Sequence, residues 1–184
     1  VQTLFTNGAN LYAGGSDVFV SKNNGSSWAN SGLSIKTLDV SALASRGTTL
    51  FAGTTTDGVF ASTDNGLNWA SRNQGLVGSS IKALIVRGGS VLAATGSGVF
   101  VSSDDGRSWK KSDVGFTSKS VRTFFSRGAT LFLGPGAGGV FRSTDDGATW
   151  TAANDGLGAV IENPVTGFAV IGKAFFASFV GSPS

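Results

Sequence analysis

The sequence predicts an all-β chain: a β-propeller of four-stranded antiparallel blades, four complete blades plus a half blade at the C-terminal end. Three observations predict it. The tryptophans Trp28, Trp69, Trp109 and Trp150 recur at intervals of 41, 40 and 41 residues, short apolar runs recur in phase with them, and glycine supplies 28 of 184 residues against 3 prolines. A unit of about forty residues holding four short β-prone runs, none with room for a helix of ~10 to 12 residues, is the period of a propeller blade. Stacking such units around a hub buries both faces of each sheet.

Each element repeats in order. Strand A is expected at Val1–Phe5, Val40–Ala44, Ile81–Val86 and Val121–Ser126, and each ends in a tight turn at Asn7-Gly8, Arg46-Gly47, Arg87-Gly88 or Arg127-Gly128. Strand B follows from Leu11, Leu50, Val91 and Leu131, and strand C from the pairs Val18-Phe19, Val59-Phe60, Val99-Phe100 and Val140-Phe141. The C–D turn carries the pattern S-x-D-x-G-x-x-W, in which Ser and Asp side chains can hydrogen-bond the turn backbone. It reads Ser21, Asn23, Gly25, Trp28 in the first copy, where Asn replaces Asp, then Ser62, Asp64, Gly66, Trp69. The third copy is Ser102, Asp104, Gly106, Trp109 and the fourth Ser143, Asp145, Gly147, Trp150. We read these boxes as structural, with each Trp starting strand D and covering the outer end of its blade.

The expected blades are 1–34, 35–76, 77–116 and 117–157, with a half blade at 158–184 built from a strand A at Val165–Val170 and a strand B at Ala174–Phe179. No fifth box or Trp follows, so strand B is left with a bare edge, a template for association. Three closures stay open: a five-bladed ring with a thin last blade, a fragment of a longer propeller, or a ring shared with a second copy of the chain. The chain begins at Val1 and holds no Met, as expected of a processed protein or an excised segment.

Composition narrows the function classes. Charged residues are 14% of the chain, against about 25% in ordinary globular domains, so Ser, Thr, Asn and Gly must form the solvent face. Such a surface is expected of an extracellular or periplasmic protein. The net charge of +3 comes from scattered basic residues, with Lys110-Lys111 the one adjacent pair, which does not make the clustered stripe of a nucleic-acid binder. No apolar run approaches the ~20 residues of a membrane span.

Catalytic and metal chemistry lack their usual residues. The chain has no His and no Cys, which removes Ser-His-Asp and Cys-His arrangements and the soft ligands of zinc. Asp104-Asp105-Gly106 and Asp145-Asp146-Gly147 echo the start of a calcium loop, but no later carboxylate completes a set of 6 to 8 oxygens. No metal and no cofactor is expected. The run Gly134-Pro135-Gly136-Ala137-Gly138-Gly139 lacks the Gly-Lys-Ser/Thr ending of a phosphate cradle and is read as a B–C loop. Arg46, Arg87 and Arg127 recur at the A–B turns on the edge that carries the boxes; they are read as exposed turn residues beside box carboxylates rather than an anion-binding ring. A basic ring in the channel is not expected either, because the aligned strand-A positions are Gln2, Ser41, Lys82, Arg122 and Thr166.

The pattern S-x-D-x-G-x-x-W resembles the BNR/Asp-box repeat of sialidases, Vps10-type sorting receptors, GH74-type glucanases and Ycf48-like photosystem II assembly factors. The resemblance covers residues 1 to 157 in full repeats and implies the propeller fold; in those families the box stabilises blades away from the active site. A sialidase-like enzyme would need an arginine cluster with a Tyr and Glu pair, and glycosidases generally need two placed carboxyl groups. This chain has one Tyr, Tyr12, in a core strand, and one Glu, Glu162.

The expected function is therefore a non-enzymatic binding or assembly scaffold with a protein or glycan partner. The alternative is a fragment of a glycoside hydrolase, sialidase-like or GH74-like, or a carbohydrate-binding propeller. Binding is expected at the rim opposite the boxes, where the B–C and D–A loops diverge between repeats, with Lys36, Asp39, Ser79 and Lys119 as the site residues.

Overall fold

The computed structural model describes residues 1–32, 39–116 and 120–181. Four four-stranded antiparallel sheets and one two-stranded sheet follow one another along the chain, each in sequential strand order. Blade 1 holds β1 (Thr3–Asn7), β2 (Asn10–Gly14), β3 (Val18–Ser21) and β4 (Ala29–Asn30), and blade 2 holds β5 (Val40–Arg46), β6 (Thr49–Thr54), β7 (Val59–Ser62) and β8 (Ala70–Ser71). Blade 3 holds β9 (Ile81–Arg87), β10 (Ser90–Thr95), β11 (Gly98–Ser102) and β12 (Lys110–Lys111). Blade 4 holds β13 (Val121–Arg127), β14 (Thr130–Pro135), β15 (Phe141–Ser143) and β16 (Thr151–Ala152). The half blade pairs β17 (Val165–Ile171) with β18 (Ala174–Phe179) and is preceded by a 3₁₀ segment, Gly158–Glu162, that the repeat pattern does not foretell. Each D strand starts one residue after its Trp and is only two residues long.

Alternation along the strands gives each blade two apolar faces, a front that meets the following blade and a rear that meets the preceding one. The three core clusters are these interfaces. Tyr12 and Val18 from the front of blade 1 pack with Val40, Leu43, Leu50 and Ala52 of blade 2. Ala42, Ala44, Phe51 and Val59 of blade 2 meet Ile81, Val91, Ala93 and Trp109 of blade 3. Leu92, Ala94 and Val99 of blade 3 meet Val121, Leu131, Leu133 and Trp150 of blade 4. The half blade docks on blade 4 through four rings, Phe125 and Phe132 against Phe168 and Phe175, with centroids 4.4 to 6.4 Å apart.

A register shift recurs at the start of the inner strand in blades 2, 3 and 4 and in the half blade, and leaves Ser41, Lys82, Arg122 and Thr166 unpaired. An extra residue in one strand sharpens local twist and re-aims its side chain. The ends of the arc do not meet. Inner strands of successive blades pack together, but β1 and β17 form no such interface among the described residues. Leu4 is 69% exposed at one end, and Phe176 and Ile171 are 49% and 72% exposed at the other. Among the described residues the half blade therefore does not close a five-bladed ring against blade 1.

Candidate functional site

Two edges of the arc carry side chains able to do chemistry: the edge of the box turns and the opposite rim of B–C and D–A loops. At the box edge the carboxylates are engaged within their own turns. Ser62 Oγ donates to Asp64 Oδ1 at 2.7 Å and accepts the Gly66 amide at 2.9 Å, while Asp64 also accepts the Asn68 amide at 2.9 Å and its Nδ2 at 2.7 Å. Asp104 accepts Ser102 Oγ, the Ser108 amide and Ser108 Oγ, and Asp145 accepts Ser143 Oγ, the Thr149 amide and Thr149 Oγ1, all at 2.5 to 2.9 Å. In the first box Asn23 Oδ1 takes the acceptor role, at 2.9 Å from both Ser21 Oγ and the Ser27 amide.

Donors aimed at a carboxylate stabilise its charged form. The Asn68 side chain leads in lowering Asp64 to about 2, the Ser143 hydroxyl leads in lowering Asp145 to about 2, and the Ser108 hydroxyl leads in holding Asp104 lower still. Groups held so firmly ionised make poor general acids near neutral pH. The next carboxylates in two boxes are engaged as well. Arg46 of blade 2 reaches Asp105 of blade 3 at 2.6 Å, and Arg87 of blade 3 reaches Asp146 of blade 4 at 3.1 Å. Arg127 instead donates to the Lys173 carbonyl at 2.8 Å, because the half blade has no box. The recurrent arginines are thus ties between neighbouring blades.

The tryptophans also act between blades, which the repeat pattern alone did not reveal. Trp109 Nε1 donates to the Arg72 carbonyl of blade 2 at 2.8 Å, and its backbone amide donates to the Gln74 carbonyl at 2.9 Å. Trp69 Nε1 is shared between Gly66 O at 2.9 Å and Ser31 O of blade 1 at 3.3 Å. The Trp150 amide donates to the Val114 carbonyl of blade 3 at 2.8 Å, while its Nε1 is buried without a hydrogen-bond partner among the described residues. Gly75 and Gly115 make the approach possible: both have positive φ, and a Cβ on either would collide with the carbonyl of Trp109 or Trp150. Two residues before Gly75, and before its blade 4 equivalent Gly156, stands a further element that sequence reading passed over. Asn73 accepts the Val59 amide and donates to the Asp57 carbonyl, both at 2.8 Å, and Asn154 makes the same pair to Val140 and Gly138 at 2.7 and 3.0 Å. An in-phase Asn/Asp-x-Gly-apolar pattern at Asn30, Asn73, Asp113 and Asn154 was the available signal.

On the rim, the four site residues fare differently. Lys36 and Lys119 lie outside the described residues. Asp39 and Ser79 are exposed, and their backbone carbonyls accept the amides of Thr55 at 3.0 Å and Gly58 at 2.8 Å, so each D–A loop is tied to a B–C loop. Ser79 lines a groove of about 370 Å³ with Thr56, Asp57, Asn73 and Leu76; Asp39 does not belong to it. In the glycine loop of blade 4 the Gly138 and Gly139 amides donate to the Ile161 carbonyl and the Gly136 amide donates to the Ser120 carbonyl. Tyr12 is 1% exposed in the blade 1 core, whereas Glu162 is exposed on the 3₁₀ segment. No cluster of three or more metal-ligating acidic residues occurs among the described residues.

No family model matches the chain, and no curated protein matches it. Solved structures do. The extracellular domain of BT4673 from B. thetaiotaomicron superposes with a TM-score of 0.71 at 14% identity, covering 95% of this chain and 24% of that one. YCF48 bound to D1 peptide superposes at 0.68 and 14% identity, covering 91% and 58%. An ancestral GH74 enzyme gives 0.63 at 26% identity, covering 82% and 23%. The fold is a β-propeller. The chain spans less than two thirds of each of these three structures, so their whole-protein activities do not transfer with the likeness. Among the described residues no helix is long and apolar enough to cross a membrane.

Proposed function

We propose that the chain is a non-enzymatic binding or assembly scaffold of BNR/Asp-box repeats, and that its rim of B–C and D–A loops takes a protein segment or a glycan. The observation that carries the reading is the use of the charged groups: three box carboxylates are occupied inside their turns, and Asp105 and Asp146 pair with arginines. This leaves the rim groove beside the exposed Ser79 and Asp57, on hydrogen-bonded loops, as the best-placed recognition surface. Loops held by a rigid scaffold are where binding residues concentrate. YCF48, similar in fold, is seen with a bound peptide, which favours a protein partner. The sparse charge of the chain and the extracellular domain among its structural neighbours favour an extracellular or periplasmic setting.

The test is binding of the purified chain to a peptide array and a glycan array, repeated with Ser79→Arg and Asp57→Lys. A set of ligands lost in both variants is the expected result; retention of all binding, or none at the start, would count against the rim. A second reading, part of a GH74-like enzyme whose acid and base lie on other blades, rests on the 26% identity to the ancestral GH74 enzyme. Hydrolysis of a β-glucan by the pure chain would favour it over the scaffold.

A further inference from the structure

We infer that the seam between blades 1 and 2 is a binding site for a neutral sugar, seated between strand β4 and the box of blade 2. A groove of about 380 Å³ opens there, and Val20, Lys22, Ser31, Asp64, Asn65 and Leu67 are among the residues that line it. Concave sites of this size hold small ligands through a few placed polar groups. Ser31 singles it out: the residue is 2% exposed and its Oγ is buried without a hydrogen-bond partner among the described residues. A buried hydroxyl left without a partner is rare and costly, and a ligand hydroxyl in the groove would satisfy it.

The corresponding groove between blades 3 and 4 has these positions engaged within the protein. Ser112 holds the place of Ser31, since the amides of both donate to the carbonyl of the strand-C valine, Val99 or Val18, and Ser112 Oγ donates to the Gly147 carbonyl. Asp146, the counterpart of Asn65, pairs with Arg87 at 3.1 Å. Between blades 1 and 2 neither arrangement forms. The Gly66 carbonyl accepts Trp69 Nε1 at 2.9 Å, and Ser31 Oγ is left over. Asn65 stands where the next two boxes have Asp, and Asn7 stands at the turn position of Arg46 and Arg87, so the ion pair of the other two seams has no counterpart. The linker is also shorter, with four residues leading from Trp28 to Gly32 against six from Trp69 to Gly75 and from Trp109 to Gly115. Gly32 therefore lies against the Leu67 carbonyl, two residues short of the tryptophan carbonyl that Gly75 and Gly115 meet, and Trp69 stays partly exposed where Trp109 and Trp150 are buried.

The side chains on the groove select the ligand class. Lys22 and Asn65, both exposed, add ammonium and amide donors beside the Ser31 hydroxyl. Asp64 supplies the acceptor: its Oδ2 takes a single donor, Asn68 Nδ2, and the hydrogen bonds led by that side chain keep the carboxyl ionised. The carboxylate repels an anion and the ammonium repels a cation, whereas a sugar hydroxyl donates to the one and accepts from the other. Leu67 and Val20 give apolar surface for the C–H face of a pyranose ring. The site stands apart from the rim reading, since the two grooves share no residue.

The test is a glycan array and a peptide array probed with the whole chain and with variants of the seam. Ser31→Ala and Leu67→Arg install the residues that Ala153 and Arg107 already supply at the same places in other repeats, and Asn7→Arg combined with Asn65→Asp writes in the ion pair of the other two seams. Each is therefore expected to keep the urea midpoint of the parent or raise it. The parent is expected to bind a set of uncharged glycans; Ser31→Ala is expected to weaken that binding about tenfold, and the other two variants to remove it. Ala148→Arg, the counterpart of Leu67→Arg in the groove of blades 3 and 4, is expected to bind as the parent does. No bound glycan, binding confined to charged glycans or to peptides, folded seam variants that bind like the parent, or equal loss in Ala148→Arg would each overturn the inference.

Discussion

Blades 1 and 3 carry the same turn pattern and bury it differently. Trp109 is 4% exposed and donates its indole N–H to blade 2, while Trp28, in the same place in its own repeat, is 42% exposed. What differs is the neighbour: blade 3 has another blade at its back and, among the described residues, blade 1 has none. The box tryptophan is therefore also a fastening between blades, a role beyond the covering of its own blade's outer end that the sequence suggests. The glycines tell the same story from the other side. Gly115 lies against the Trp150 backbone, whereas Gly156, in the equivalent place on blade 4, has positive φ and nothing near it, because the half blade brings no tryptophan.

The largest effect that would break the comparison is at the tryptophans. Trp109→Ala removes a buried ring and a hydrogen bond and is expected to cost about 3–5 kcal/mol, whereas Trp28→Ala should cost about 1 kcal/mol or less in a monomeric background. Urea unfolding of both variants checks this, and similar losses would mean the ring acts within its own blade. Next in size are the glycines: Gly115→Ala should lose about 3 kcal/mol from collision plus backbone strain, and Gly156→Ala only the ~1 kcal/mol of left-handed strain.

The boxes themselves give a pH dependence. Asp64 and Asp145 fall from 3.8 to about 2 on folding and Asp104 falls further, so their contribution is present above pH 3.8 and is lost as the pH drops toward 2. Replacing all three with Asn, the residue the first box already uses, should flatten the fall in urea midpoint between pH 4 and 2. An unchanged acid limb would place the titrating groups elsewhere. The smallest effect is Arg46→Ala, which removes a partly exposed ion pair and should change stability by about 0.5 kcal/mol or less at moderate salt.

Much of this architecture was legible beforehand because its causes are local. A strand of alternating side chains, a glycine turn between paired strands, and a Ser-Asp-Gly box whose hydrogen bonds span only two to four residues can all be read within one repeat. The Asn73 and Asn154 clamps escape a sequence reading although their pattern repeats, since the repeat marks the residue and not the partners 14 to 16 residues away that its side chain bridges. Loop divergence singles out the rim residues Asp39 and Ser79, and only the fold shows that Ser79 borders a groove while Asp39 does not.

By itself the sequence determined the repeating unit, its strands and turns, and the absence of His and Cys, since each follows from residue identity and spacing along one blade. The tertiary structure alone decided which indole is buried and which arginine finds a carboxylate. Those outcomes depend on the adjoining blade: Trp109 reaches a carbonyl 37 residues away, and Arg46 an aspartate 59 residues away. Identical local patterns therefore acquire different burial and different partners once the sheets are stacked.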